Sequence, residues 1–302
     1  MNKRPALRPD TPLDQALAAV ARGMLTDARD VISDPALQTD AAIHDFRKAV
    51  KRWRSFLRLV EPHFGEGAAN LRKTARDTAR KLAGARDLKS TLDAVDDLRE
   101  SAYELNDRSF DTIRTRIAAM QSAAEKSGIG AGDRAQIAQD VSGWLTTISL
   151  WPFKSVRFDE ISDSLTNGYR RARAAMPENW REANDEELHE FRRRTIDHRY
   201  QLELLEPLWP RMAKIWVDEA QRLRDALGQH RDLALLQAMA GPHQPLARFR
   251  SKLLPAIARR QEAHLSRAAK IAARVFAEKP RAFQNRIEEL WRAGTDKENG
   301  KE

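Results

Sequence analysis

Hydrophobic residues in this chain recur every three or four positions over most of its length, the period of a helix with one buried face. Asp10-Thr11-Pro12 reads as a helix start, with Pro in the first turn, and Ser33-Asp34-Pro35 as its end. A long helix is expected over about 41–60, stopping at Glu61-Pro62, because Pro disfavours helical geometry in the residue before it. Further helices are expected near 68–83, 88–101, 108–126 and 132–149, and then near 159–176, 185–205, 210–227, 230–240, 246–277 and 281–292. Gly128-Ile129-Gly130-Ala131-Gly132 marks a turn, and Trp151 to Phe158 the clearest internal connector.

The pattern repeats. A shift of 145 positions aligns 43–88 with 188–233 without a gap. His44 falls on His189, Phe46 on Phe191, Arg47 on Arg192, Arg54 on Arg199 and Leu57 on Leu202. Glu61-Pro62 falls on Glu206-Pro207, and Arg86-Asp87-Leu88 on Arg231-Asp232-Leu233. The expected architecture is all-α: two related bundles, 11–150 and 159–292, joined by 151–158 and packed about an approximate twofold, with flexible ends at 1–10 and 293–302.

On the helix over 41–60, Ile43, Phe46, Val50, Trp53, Leu57 and Val60 share one arc and form its buried face. His44, Arg47, Lys48, Lys51, Arg54 and Arg58 lie within about 120° of one another on the opposite side, with Arg52 just outside. On the next helix Arg72, Lys73, Arg76 and Arg80 fall within roughly 100°, away from Leu71, Ala75, Ala79 and Leu82. An ordinary solvated face would place acids three or four residues from such bases, and like charges at that spacing cost a few tenths of a kcal/mol per pair. The first stripe has few such acids, so a polyanion is the expected partner. The second half keeps His189, Arg192, Arg193 and Arg199 on the same face, but Ile196, Asp197 and Glu203 stand where Lys51, Arg52 and Arg58 do. A later helix adds Arg259, Arg260, Arg267 and Lys270 on one side. His198 falls on the apolar arc and is expected in the core; His230 is at most a rim contact.

Composition narrows the class of partner. Lys+Arg number 53 against 44 Asp+Glu, a formal net charge of +9, so the summed field attracts anions. There is no cysteine, which removes disulfides, thiolate metal sites and a Cys nucleophile. No apolar run reaches signal-peptide or membrane-span length, and a soluble cytoplasmic protein is expected. No H-E-x-x-H, Walker A loop or carboxylate cluster on a basic face is present, so no catalytic residue, metal or cofactor is assigned and the chain is expected not to be an enzyme. Two alternatives stand beside polyanion storage or capture: binding of nucleic-acid backbone, and a metal-dependent phosphohydrolase.

The segment IHDFRKAVKRWRSFLRLVEP, with His44, Arg47, Lys51, Arg52 and Arg54, resembles the first repeat of the CHAD domain family, the conserved histidine α-helical domain. ARKLAGARDL resembles that family's following helix and Arg-Asp turn, and LHEFRRRTIDHRY its second repeat; NGYRRARAAM and FAEKPRAF are similar to its connecting and closing segments. The resemblance implies paired helical bundles bordering a basic central cavity that binds inorganic polyphosphate, association with polyphosphate granules, and no catalysis. It implies binding roles for the stripe residues above, with Arg86 and Arg231 from the matched turns. The departure at Ile196 and Asp197, where the family carries bases, puts equal use of the two halves in question.

Overall fold

A computed structural model describes residues 6–82, 86–101, 105–126 and 131–299; the side chains at 86, 124–126, 131 and 296–299 are not described. Among the described residues the chain forms ten α-helices and no strand. These are α1 (Leu13–Ser33), α2 (Thr39–Lys81), α3 (Arg86–Arg99), α4 (Asp107–Lys126), α5 (Ala131–Ser149), α6 (Phe158–Ala174), α7 (Asp185–Leu204), α8 (Pro210–Met239), α9 (Arg250–Val275) and α10 (Pro280–Asn299).

The 145-residue offset is visible in the helix starts. Leu13 opens α1 and Phe158 opens α6, while Thr39 falls on Asn184, the residue that caps α7. Packing follows the same offset: α1 lies on α2 and α5 as α6 lies on α7 and α10, and α3 lies on α4 as α8 lies on α9. The two halves meet where α2 crosses α7 and where α3 crosses α8. Two apolar clusters result, and neither stops at the connector. The larger joins α1, α2, α5, α6, α7, α10 and parts of α8 and α9; the smaller joins α3 and α4 to the remainder of α8 and α9.

Helix limits differ from the sequence expectation at several places. Pro62 does not end its helix: α2 continues past it and kinks at Gly65, whose φ of 51° and ψ of −129° suit glycine alone. Pro removes one backbone hydrogen bond, but keeping the turn helical carries Phe64 onto Trp151, with ring centroids 4.5 Å apart, and onto Phe153 at 5.1 Å. Gly65 falls on Pro210, the first residue of α8, so the kink in one half matches the break in the other. The expected break between 210–227 and 230–240 is absent, because α8 is one helix packed against α7 and α9. Helix α10 runs on to Asn299 rather than ending near 292. At the other terminus Leu7 is fully buried and its N–H donates to the Leu204 carbonyl at 2.9 Å, so 6–10 is docked on the fold, with Pro9 packed too close to Gly294 for any side chain there.

The connecting and closing segments singled out in the sequence meet in space. Tyr169 donates to the Glu278 carbonyl at 3.0 Å, and Arg173 to that of Phe276 at 3.1 Å. The Tyr169 ring stacks on Phe283 at 4.5 Å. His198 sits against Tyr169, Phe276 and Phe283, as its place on the apolar arc predicts. Burial, then the field of Arg286, presses its pKa from 6.5 to about 3. The folded state therefore keeps this ring neutral while the unfolded chain protonates it near 6.5. Its contribution to stability is present above that pH and is lost as pH falls from about 6.5 toward 3, by at most about 1.4 kcal/mol per pH unit. H198F should lose less stability than the wild type when urea unfolding is repeated from pH 7 down to pH 4.5; parallel profiles would refute this account of His198.

Candidate functional site

The first cationic stripe lies on a helix that is buried on more than one side. Besides the apolar arc, Ser55, Phe56 and Leu59 are buried, because α7 and α6 pack on α2 as well as α1 does. The stripe is therefore confined to a strip in which Arg47, Lys51, Arg52, Arg54 and Arg58 are half-buried, while His44 and Lys48 are exposed at its start. The kink at Gly65 folds the second limb of α2 back on the first. Arg47 donates to the Ala79 carbonyl, and Arg72 makes a paired contact with Glu61 at 2.9 and 3.2 Å. The second limb keeps Lys73, Arg76 and Arg80 exposed, with Arg76 on neighbouring Asp77 at 2.9 Å.

At the centre of this arrangement is Arg54. Its Nε is buried without a hydrogen-bond partner, and among the described residues the side chain has no hydrogen bond or ion pair. Burial, then the charge of Arg58, lowers its pKa to about 10; Asp197 opposes the shift, and Arg72 and Arg76 add to it. Arg58 is also pushed down by burial, with Asp197 opposing and Arg72, Arg193 and Arg194 reinforcing. The two limbs of α2 and one face of α7 thus bring Arg54, Arg58, Arg72, Arg76, Arg193 and Arg194 into one field. Arg194 belongs to this group without having been a candidate; its signal is the run Arg192-Arg193-Arg194, and its charge acts on Arg58 while its Nε is held by Glu190.

Helix α7 also supplies the acids that the first stripe lacks locally. Arg58 contacts Asp197 at 2.8 Å, and Arg52 contacts Glu203 at 3.3 Å. The Ser55 hydroxyl donates to the Asp197 carbonyl at 2.9 Å. Arg199 shares Glu203 and lies 4.1 Å from the Tyr200 ring centroid. The reading of an almost purely positive stripe is therefore corrected for Arg52 and Arg58: their acids come from the other half, where no i to i+4 inspection finds them. Arg193 and Arg194 share Glu190, whose carboxyl they hold down against the effect of burial. Arg192 packs over buried Gly228, its guanidinium 3.6 Å from where a Cβ would stand. His189 reaches solvent, yet partial burial first, then Arg231, Arg192 and Arg193, depresses its pKa; Glu190 opposes them. Arg231 is exposed, and the Arg86 side chain lies outside the described residues.

The candidates on α9 go elsewhere. Arg260 is bound to Asp97 of α3 through Nε at 3.1 Å and through Nη2, and His264, to which the sequence assigned nothing, contacts the same carboxylate at 2.7 Å. Burial raises the Asp97 pKa, but the bonds from His264 and Arg260 outweigh it and hold the carboxyl at about 2. This is a link between halves across 163 and 167 positions, invisible to local pattern. Arg259, Arg267 and Lys270 are exposed along α9, and His230, read as a rim contact, is buried. A cavity of about 490 Å³ is lined by Tyr169, Trp216, Phe283 and Arg286, and another of about 680 Å³ by Glu178, Glu182, Glu186 and Glu190. None of the stripe residues lines the first, whereas the second touches the α7 cluster through Glu190, which Arg193 and Arg194 hold. No cluster of three or more metal-ligating side chains occurs among the described residues, and no described helix is long and apolar enough to cross a membrane.

Chemically, a group of guanidinium ions held near one another presents paired N–H donors to anionic oxygens, and charge-assisted bonds of that kind are about twice as strong as neutral ones. Comparison with known proteins agrees with the helical pattern. The family model for the CHAD domain matches residues 15–241. A crystal structure of the CHAD domain from the plant Ricinus communis is similar over 94% of this chain and 95% of that one, with a TM-score of 0.53 and 20% identity, a likeness of fold. No curated protein matches.

A half-buried cation among like charges that a neighbouring acid only partly offsets destabilises the fold that carries it. R54M keeps most of the apolar stem and removes the charge, and should raise the unfolding free energy by about 1 kcal/mol after allowance for solvent screening. A lower urea midpoint for R54M would contradict this electrostatic account.

Proposed function

Since this chain belongs to the CHAD domain family, we propose that it binds inorganic polyphosphate without turning it over, through two copies of one helical unit whose basic faces border a common central site, and that it associates with polyphosphate granules. The observation that carries this reading is Arg54: a half-buried guanidinium without a partner among the described residues, beside Arg58, Arg72 and Arg76, with Arg193 and Arg194 of α7 close to Arg58. A fold keeps such a group when an anion offsets its cost. Polyphosphate carries about one charge per phosphate and no bases, so charge density and spacing are what a protein recognises in it. Arg fits that demand through its planar fork of donors.

The binding surface is lopsided in this reading. The two limbs of α2 contribute most of it, and α7 contributes Arg193, Arg194 and His189, since Arg199 is already held by Glu203. Nucleic-acid backbone presents the same phosphate chemistry, but single strands are held largely by stacking on exposed aromatic rings. Trp53 and Trp144 are buried, Trp151, Trp180, Trp216 and Trp291 are packed against the core, and Trp209 is exposed.

Calorimetric titration with polyphosphate of defined length tests the proposal. Affinity should fall by about 10²-fold or more between 50 and 200 mM salt, as counterions released by several phosphate contacts must be recaptured; a flat salt response would refute it. Duplex or single-stranded DNA should be displaced by polyphosphate, with the reverse needing a large excess. Phosphate release should stay at background with and without divalent metal. Acidification adds a further expectation. With the His189 pKa held low in the free protein, a neighbouring polyanion raises it, so binding takes up protons and affinity rises as pH falls from 7.5 to 6. Replacing His44 and His189 together with Ala should flatten that trend, and a trend that survives the double substitution would remove the histidines from the site.

A further inference from the structure

The crossing of α2 and α7 uses the same two repeat positions twice, with the halves exchanged. Position 52 is Arg in the first half and Asp197 in the second; position 58 is Arg in the first half and Glu203 in the second. In the folded chain Arg58 meets Asp197, and Arg52 meets Glu203. Had the second half kept Arg at both, four guanidinium groups would face one another in a contact whose side chains are 11–18% exposed. The acids at 197 and 203 let the halves close.

The two acids are not equivalent. Glu203 contacts two cations directly, Arg52 at 3.3 Å and Arg199, both enclosed with it, although its Oε2 is also buried without a hydrogen bond. Asp197 is bonded through Oδ1 to Arg58 alone, and its Oδ2 is buried without a hydrogen bond. Besides Arg58, the charges of Arg194, Arg54 and Arg193 act on it. Burial pushes its carboxyl upward, and those four cations resist the shift. Asp197 is thus a buried carboxylate with one ion pair, to Arg58, one unbonded oxygen, and the charges of three further cations acting on it, whereas two arginines engage Glu203 directly.

Building on the polyphosphate reading, we propose that Asp197 is an internal counter-anion of the α2–α7 guanidinium cluster, and that it sets anion affinity by competing for Arg58 and Arg54. The free protein is then folded and stable without ligand, at the expense of binding strength. A bound polyanion takes over the cations that Asp197 partly neutralises.

D197N tests this directly, because Asn removes the charge, keeps one acceptor oxygen for Arg58 and puts its NH2 at the oxygen that has no bond to lose. Titrated with polyphosphate at low salt, D197N should bind at least about tenfold more tightly than the wild type and show a steeper salt dependence. E203Q, whose site is closed by two arginines, should change affinity less than twofold. Equal or weaker binding by D197N overturns the proposal, as does an equal gain in E203Q, which would make net charge the cause. Thermal melting in sulfate gives a readout that does not need polyphosphate: D197N should melt below the wild type in low salt and recover most of the difference as sulfate is added. If neither protein binds polyphosphate, the polyphosphate reading fails, and sulfate-dependent recovery in D197N still decides the counter-anion role; absence of that recovery sinks it. D197S, carried through the same measurements, covers the case in which D197N does not fold.

Discussion

Two helices that each carry a row of bases cannot cross closely unless charge alternates where they touch. Here α2 and α7 cross with Arg52 on Glu203 and Arg58 on Asp197, at 3.3 and 2.8 Å. Breaking a sheltered pair of this kind costs about 3–5 kcal/mol, because the remaining partner is left charged and out of water. The contact thus ties the two halves together and fixes the rotation of α2 about its own axis. That rotation decides which bases are confined between helices and which reach solvent. Arg54, one turn before Arg58, inherits its sheltered and unpartnered position from the crossing.

The cationic surface is also a structural network. Arg47 on the Ala79 carbonyl and Arg72 on Glu61 hold the limbs of α2 together across the kink at Gly65. Arg192 fills the space over Gly228. Bases that look like a ligand surface in sequence therefore divide into those that build the fold, those that pair across it, and those left for an anion. The same economy operates at the other crossing, where Asp97 gathers Arg260 and His264 and binds α3 to α9. His198, Tyr169, Phe276 and Phe283 pack α6, α7 and α10 together, and the Tyr169 hydroxyl adds a bond to the Glu278 carbonyl.

A half-buried cation only partly offset by a neighbouring acid, and an under-coordinated carboxylate in the same cluster, both cost stability. A compact helical protein carries that cost because its apolar clusters are extensive and shared between halves. Stability and anion affinity are set against each other at Arg54 and Asp197, the usual tension at sites that must receive charge.

Helix type, the order of helices and the apolar arcs were legible in the amino-acid sequence, because they follow from a local period and from residue types within one or two turns. Phe46, Val50, Trp53 and Leu57 are buried as their spacing requires. The 145-residue offset was legible for the same reason: it compares local patterns with each other. Pro62 misled by a few residues, because the helix carries on to the kink at Gly65 and sets Phe64 on Trp151 and Phe153 of the connector. Pairing was beyond local reach. Asp197 looks in sequence like a lost base, and only the crossing of α7 over α2 makes it the partner of Arg58 across 139 positions. Arg260 reads as one more exposed cation until Asp97 is brought beside it. The sequence by itself determines which faces are greasy and which are charged, since that depends on side-chain chemistry and helical geometry. Which charges are spent on one another is decided only when the helices pack, since Coulomb energy depends on distances that chain order does not contain.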